Sequence, residues 1–185
     1  MKQIVTLAVS AAVLAAAPAG CGTTTKDRNV EAIEKAIARG RDVNDYDANG
    51  LTMLHVYAAR GSAAGVKYLL KNGAKANMPV RRPPNFGYTA MHFAAAKGHV
   101  KVAELLIKDG ANVNVAAVGD KDVGNFDGRT PLHLAAANGH KDMVELLLQE
   151  GAMPEMNDTA GKRAGDLAEA NGHKDIAALL SAPKK

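Results

Sequence analysis

The chain has 185 residues, 47% of them hydrophobic and 23% charged, ordinary values for a folded domain. Aromatic residues make up only 4%, with no Trp, which points to a thin core of Ala, Leu, Val and Ile between small helices and argues against a large β-sandwich or barrel. A single Cys excludes an internal disulfide framework and a thiolate zinc site, and the net charge of +4, read as spread along the chain, lacks the Lys/Arg stripe of a nucleic-acid binder.

The first twenty residues read as an export signal. Lys2 supplies a positive start, and Ile4 to Ala17 is uncharged and mostly apolar. As a helix that run rises about 21 Å, short of a hydrocarbon core of about 30 Å. The layout predicts a secretory signal peptide over residues 1–20. Two processing routes stay open. Ala17-Pro18-Ala19 fits the small-x-small rule and would release a chain starting at Gly20. Ala19-Gly20-Cys21 resembles the end of a bacterial lipobox, in which the Cys21 thiol accepts a diacylglyceryl group, although Pro18 stands where an aliphatic residue is usual. Residues 21–28 then form a polar linker. Both routes place the domain outside the cytoplasm: periplasmic, or anchored by an N-terminal lipid, with the outer membrane favoured.

From Asn29 onward one unit is written several times. Gly50-Leu-Thr-Met-Leu-His55, Gly87-Tyr-Thr-Ala-Met-His92 and Gly128-Arg-Thr-Pro-Leu-His133 align. Each leads into an Ala-rich segment ending in Gly61, Gly98 or Gly139, then an apolar helix ending in Gly73-Ala74, Gly110-Ala111 or Gly151-Ala152. A weaker fourth copy runs from Gly161 to Leu180. Thr130 suits an N-cap and Pro131 the first helical position, where no amide donor is needed. Val144, Leu147 and Leu148 share one face of the following helix. One such pair cannot bury its apolar face alone, so stability is a sum over stacked units.

These lines resemble ankyrin repeats, whose signature reads G-x-T-P-L-H-x-A-A-x-x-G-H followed by V-x-x-L-L-x-x-G-A. The resemblance implies an all-α solenoid of stacked helix-turn-helix units with β-hairpin or finger loops over residues 29–182. It divides into a half repeat at 29–44 and repeats at about 45–77, 78–114, 115–152 and 153–182. The spacing between the Thr slots is 37 from Thr52 to Thr89 and 41 from Thr89 to Thr130, against about 33 for the family unit. The surplus falls in two fingers, Met78 to Phe86, with three Pro and two Arg, and Ala116 to Phe126. Insertions of this kind map to one face of a solenoid, often the binding face.

The resemblance implies a concave surface lined by finger tips and by the exposed face of the first helices. The candidate partner-binding residues are therefore Tyr46, Asp47, Arg60, Arg81, Arg82, Phe86, Lys97, Asp122, Phe126, Arg129 and Asn138. Phe86 and Phe126 are the expected exposed anchors, the alternative being that each ring folds back on its neighbouring finger. Tyr46 is expected to be exposed. Tyr57 fills a slot usually held by Ala, and Gly65 one held by Val102 and Met143 in the next copies, so the two exceptions are expected to compensate.

Six His residues invite a metal or catalytic reading, but the repeat accounts for them all. His55, His92 and His133 hold one slot, where the resemblance implies hydrogen bonds between adjacent loops; His99, His140 and His173 hold a second. No nucleophile elbow, phosphate loop or dinucleotide fingerprint is present. The expectation is a non-enzymatic protein-interaction module of a bacterial cell envelope, monomeric, without cofactor or metal, meeting a membrane only through its lipid. Two narrower readings stand beside it: an inhibitor or immunity-type protein occluding an envelope enzyme or toxin, and a scaffold supporting a periplasmic enzyme.

Overall fold

The computed structural model describes residues 27–118 and 127–181. The signal peptide, Cys21, Asp122 and Phe126 lie outside them. Among the described residues the chain forms nine helices and no strand: α1 (Arg28–Ala38), α2 (Met53–Ala59), α3 (Ala63–Lys71), α4 (Ala90–Lys97), α5 (Val100–Lys108), α6 (Pro131–Ala137), α7 (Lys141–Gln149), α8 (Ala164–Ala170) and α9 (Lys174–Ser181). None of the described helices is long and apolar enough to cross a membrane.

Two layers follow from two kinds of helix. The short helices α2, α4, α6 and α8 pack in series, α2 on α4, α4 on α6 and α6 on α8. Their interiors are largely small: Ala58, Ala94, Ala95, Ala135, Ala136 and Ala168 are fully buried. Small side chains let helix axes approach, and seven or eight residues suffice because α4 and α6 are held from both sides and α2 and α8 each rest on a row neighbour and on their own unit's second helix. The longer helices α1, α3, α5 and α7 form the second row, each in contact with the next. They turn Ile33, Val66, Leu69, Val102, Leu106, Val144 and Leu147 onto the first row, all at 1% exposure or less. Each such side chain stabilises the fold by about 1.5–3 kcal/mol on leaving water. Helix α1 carries no partner helix before it among the described residues and rests on α3.

Starts and stops are chemical. Asp27 caps α1, its carboxylate accepting the Asn29 N–H at 2.8 Å, and Ser62 caps α3 through the Gly65 N–H at 3.2 Å. Gly98 ends α4 in the left-handed conformation, φ 68°. A Cβ there would also lie 2.8 Å from the His140 ring of the next unit, so glycine is required twice over.

The fingers are closed by backbone bonds without forming a ladder long enough to be a strand. Val80 N–H donates to the Tyr88 carbonyl at 2.7 Å and Gly87 N–H to that of Val80 at 3.0 Å. Arg81 N–H reaches back to the Gly50 carbonyl at 3.1 Å, stitching the Pro-rich insertion onto the preceding finger. The insertion is non-helical, as three prolines dictate.

Candidate interaction surface

The three histidines of the first slot tie each unit to the next. Thr52, Thr89 and Thr130 donate their backbone N–H to Nδ1 of His55, His92 and His133 at 2.9, 3.0 and 3.2 Å. That fixes Nδ1 as the acceptor and leaves the proton on Nε2. The Nε2–H groups then donate to the carbonyls of Met78, Arg129 and Lys162 in the following finger, at 2.8, 3.0 and 3.1 Å. Burial is the main reason the His55 and His92 pKa values fall from the usual 6.5 to about 4, and it lowers that of His133 as well. In the fourth copy Asp166 takes the slot and accepts the Arg163 N–H at 2.9 Å, which holds its carboxyl below the usual carboxylate range.

In the second slot, His99 and His140 donate from Nε2 to the carbonyls of Ala59 and Ala96, at 3.2 and 3.0 Å. The His173 ring lies against Gly139, 2.5 Å from where a Cβ would stand. Every histidine thus has a packing role across units. No three His, Cys, Asp or Glu side chains among the described residues converge as a metal site.

A family model described as ankyrin repeats in three copies matches residues 23–117 and 116–185. The chain belongs to the ankyrin-repeat family. A comparison with curated proteins gives no match. Ankyrin-repeat domains are protein-interaction modules, in general without catalysis of their own.

Within this ankyrin domain the structure separates the candidate residues into two groups. Arg60, Arg81, Arg82 and Lys97 are exposed. Arg60 and Lys97 lie at the C-terminal ends of α2 and α4, in the slot that Asn138 holds after α6. Asn138 is exposed too, but its side-chain amide donates back to the Leu134 carbonyl at 2.8 Å.

The other candidates are largely committed to the fold. Tyr46, expected to be exposed, is half-buried: its hydroxyl donates to the Pro79 carbonyl at 2.9 Å, and the Arg81 guanidinium lies 4.3 Å from its ring centre. Asp47 turns back on its own finger, accepting the Asn49 and Leu51 N–H groups at 2.9 Å each. Arg129 is 22% exposed and lies 3.6 Å from Asp127 and 3.7 Å from Asp158, its Nε buried between the two carboxylates. Phe86, an expected exposed anchor, is half-buried. Spacing places these residues on fingers, but only the packing of finger on finger decides which side chains it consumes.

Three features escaped the sequence reading. The first is an asparagine ladder: Asn44, Asn77 and Asn114 donate their side-chain amides to the carbonyls of Gly73, Gly110 and Gly151 at 2.9–3.0 Å. Each also accepts the N–H of Lys75, Asn112 or Met153 at 2.8–2.9 Å. Its signal was an Asn four residues after Gly40, Gly73 and Gly110. The second is Tyr88, 5% exposed, stacked on His92 at 4.8 Å and donating to Asp127 at 2.7 Å. Burial, reinforced by the Asp127 charge, raises its phenol pKa. The third is the distribution of charge. It is not spread: residues 27–114 carry thirteen Lys/Arg and eight Asp/Glu, residues 127–181 five and nine.

Proposed function

We propose that this ankyrin domain is a non-enzymatic binding module exported to a bacterial cell envelope, and that it holds a partner protein against the ends of α2, α4 and α6 and the neighbouring fingers. The observation carrying the surface is that one slot of three successively packed helices presents Arg60, Lys97 and Asn138 to solvent while nearly all the intervening helix is buried. A stack tied by histidine and asparagine bonds between units presents such a surface already ordered, so little conformational entropy is lost on docking. Support for export comes from Lys2 and the uncharged run to Ala17, and support for a lipid anchor from Cys21 directly after Ala19-Gly20.

The test is capture in the native host with a C-terminally tagged full-length chain, compared with the same chain carrying Arg60→Ala, Arg82→Ala and Lys97→Ala. One dominant protein retained by the parent and lost by the folded variant supports the reading. A partner retained equally by both refutes this surface, and the absence of any partner refutes the module. Assaying the captured protein's own activity, bound and free, then separates an inhibitor from a scaffold.

A further inference from the structure

Between Ala48 and Ala103 the chain contains no Asp or Glu and eight Lys or Arg. Folding places this carboxylate-free stretch in adjacent units, α2 with α3 and α4 with the first turn of α5, together with the finger between them. Arg60, Arg81, Arg82 and Lys97 are all exposed there, and no carboxylate of the described residues pairs with any of them. Elsewhere in the same solenoid some cations are paired: Lys141 lies 3.9 Å from Glu145, Arg163 lies 3.7 Å from Asp166, and Arg129 sits between two aspartates.

Two of the four cations are also held in place. The Arg81 guanidinium lies 4.3 Å from the centre of the Tyr46 ring, and that of Arg60 5.5 Å from the centre of the Tyr57 ring. A guanidinium resting on a ring loses less freedom when it meets a ligand, and its in-plane donors stay available for a carboxylate. The same contacts cover the Tyr46 and Tyr57 faces, so these rings are not open platforms for stacked bases. Neighbouring helices of such a stack run about 8–10 Å apart. That matches one turn, three residues and about 9 Å, of a peptide in the polyproline II conformation, whose side chains at i and i+3 share a face, so Arg60 and Lys97 are spaced for carboxylates three residues apart.

We propose that the cationic half of the solenoid, with Arg60 and Lys97 on the helix ends and Arg81 and Arg82 on the finger, is the docking surface for an acidic protein segment. The proposal rests on the reading of the domain as a protein-binding module. The acidic second half, residues 127–181, repels such a segment and so fixes where along the solenoid it lies.

The experiment uses the purified full-length chain and a fluorescein-labelled twelve-residue peptide with Glu at every third position, a Lys counterpart serving as control. The Glu peptide is expected to bind and the Lys peptide not, with affinity falling by about tenfold or more between 20 and 150 mM NaCl as surface charges are screened. Arg60→Glu with Arg82→Glu is expected to abolish binding, while Arg163→Glu with Lys174→Glu leaves it unchanged. If the first pair lowers the melting temperature, Arg82→Gln with Lys97→Gln replaces it, and a weakening of about tenfold is expected. Equal binding of the two peptides, indifference to the substitutions at Arg60, Arg82 and Lys97, or tighter binding to duplex DNA or to phosphatidylglycerol vesicles through the same arginines would each overturn the proposal. Failure here stays distinct from failure of the module. A host protein captured by the tagged chain and retained after Arg60→Glu with Arg82→Glu keeps the module and sinks the acidic preference.

Discussion

Tyr57 and Gly65 show how one residue's size is set by another's. A Cβ on Gly65 would lie 2.9 Å from Cδ1 of Tyr57 and 3.4 Å from Cδ1 of Ile33, so the Tyr57 ring occupies the space that Val or Met fills in later copies. Gly65→Val is expected to cost about 1–3 kcal/mol by overpacking, and Tyr57→Ala to cost stability by opening a cavity. The double variant should be milder than the sum of the two. Rescue will be incomplete, because the same Cβ would press on the Ser62 Oγ that caps α3, 2.9 Å away. Additivity in a urea-unfolding double-mutant cycle would refute the exchange. His92 makes a second argument at this scale. Its pKa falls to about 4 in the fold, against 6.5 in an unfolded chain, so the unfolded state takes up the proton first as pH drops. The stability it contributes is complete above about pH 6.5 and is lost between there and pH 4, an effect of up to about 3 kcal/mol. His55 acts in the same window and the same direction. The melting temperature should therefore fall steadily from pH 7 to pH 4.5, and His92→Gln should melt lower at pH 7 but lose less on acidification.

Between elements, the bonds that matter run from one unit to the next. Asn77 accepts the Asn112 N–H and donates to the Gly110 carbonyl, joining the turn after α3 to the turn after α5. Both bonds are exposed, so Asn77→Ala should cost only about 1–2 kcal/mol in chemical denaturation. Gly98→Ala should cost more. It asks an L-residue to hold φ 68° and places a methyl group against the His140 ring, whose Nε2–H donates to the Ala96 carbonyl. A melting temperature unchanged by Gly98→Ala would show that the end of α4 and the start of α7 pack more loosely than these distances say. Much of this was legible in the sequence, because a repeat writes each contact several times: the recurring His55, His92 and His133 slot, through its resemblance to the ankyrin unit, implied the histidine bonds between loops. The asparagine ladder was written just as often, four residues after three glycines, and lacked only a physical reason to be singled out.

The whole molecule is a stack in which each unit is held mainly by its neighbours. Terminal units have one neighbour and inner units two, so protection should be graded. Native-state hydrogen exchange is expected to be fastest in α1 and α9 and slowest in α4 and α6; uniform protection would mean the stack opens only as one body. The amino-acid sequence by itself determined the helical class, the repeat, the Thr130 cap position and the two repeated slots that hold all six histidines, because these depend on residue type at fixed local spacing. It also contained the carboxylate-free run from Ala48 to Ala103, although only stacking turns that run into one surface. The tertiary structure alone decided which candidate side chains stay exposed. Asp47 was claimed by its own turn, Tyr46 by the next finger and Arg129 by two aspartates, one of them a unit away. Such losses depend on how finger meets finger, a long-range geometry that local spacing does not encode; Arg60, Arg82 and Lys97 stay exposed, and among the described residues no carboxylate pairs with them.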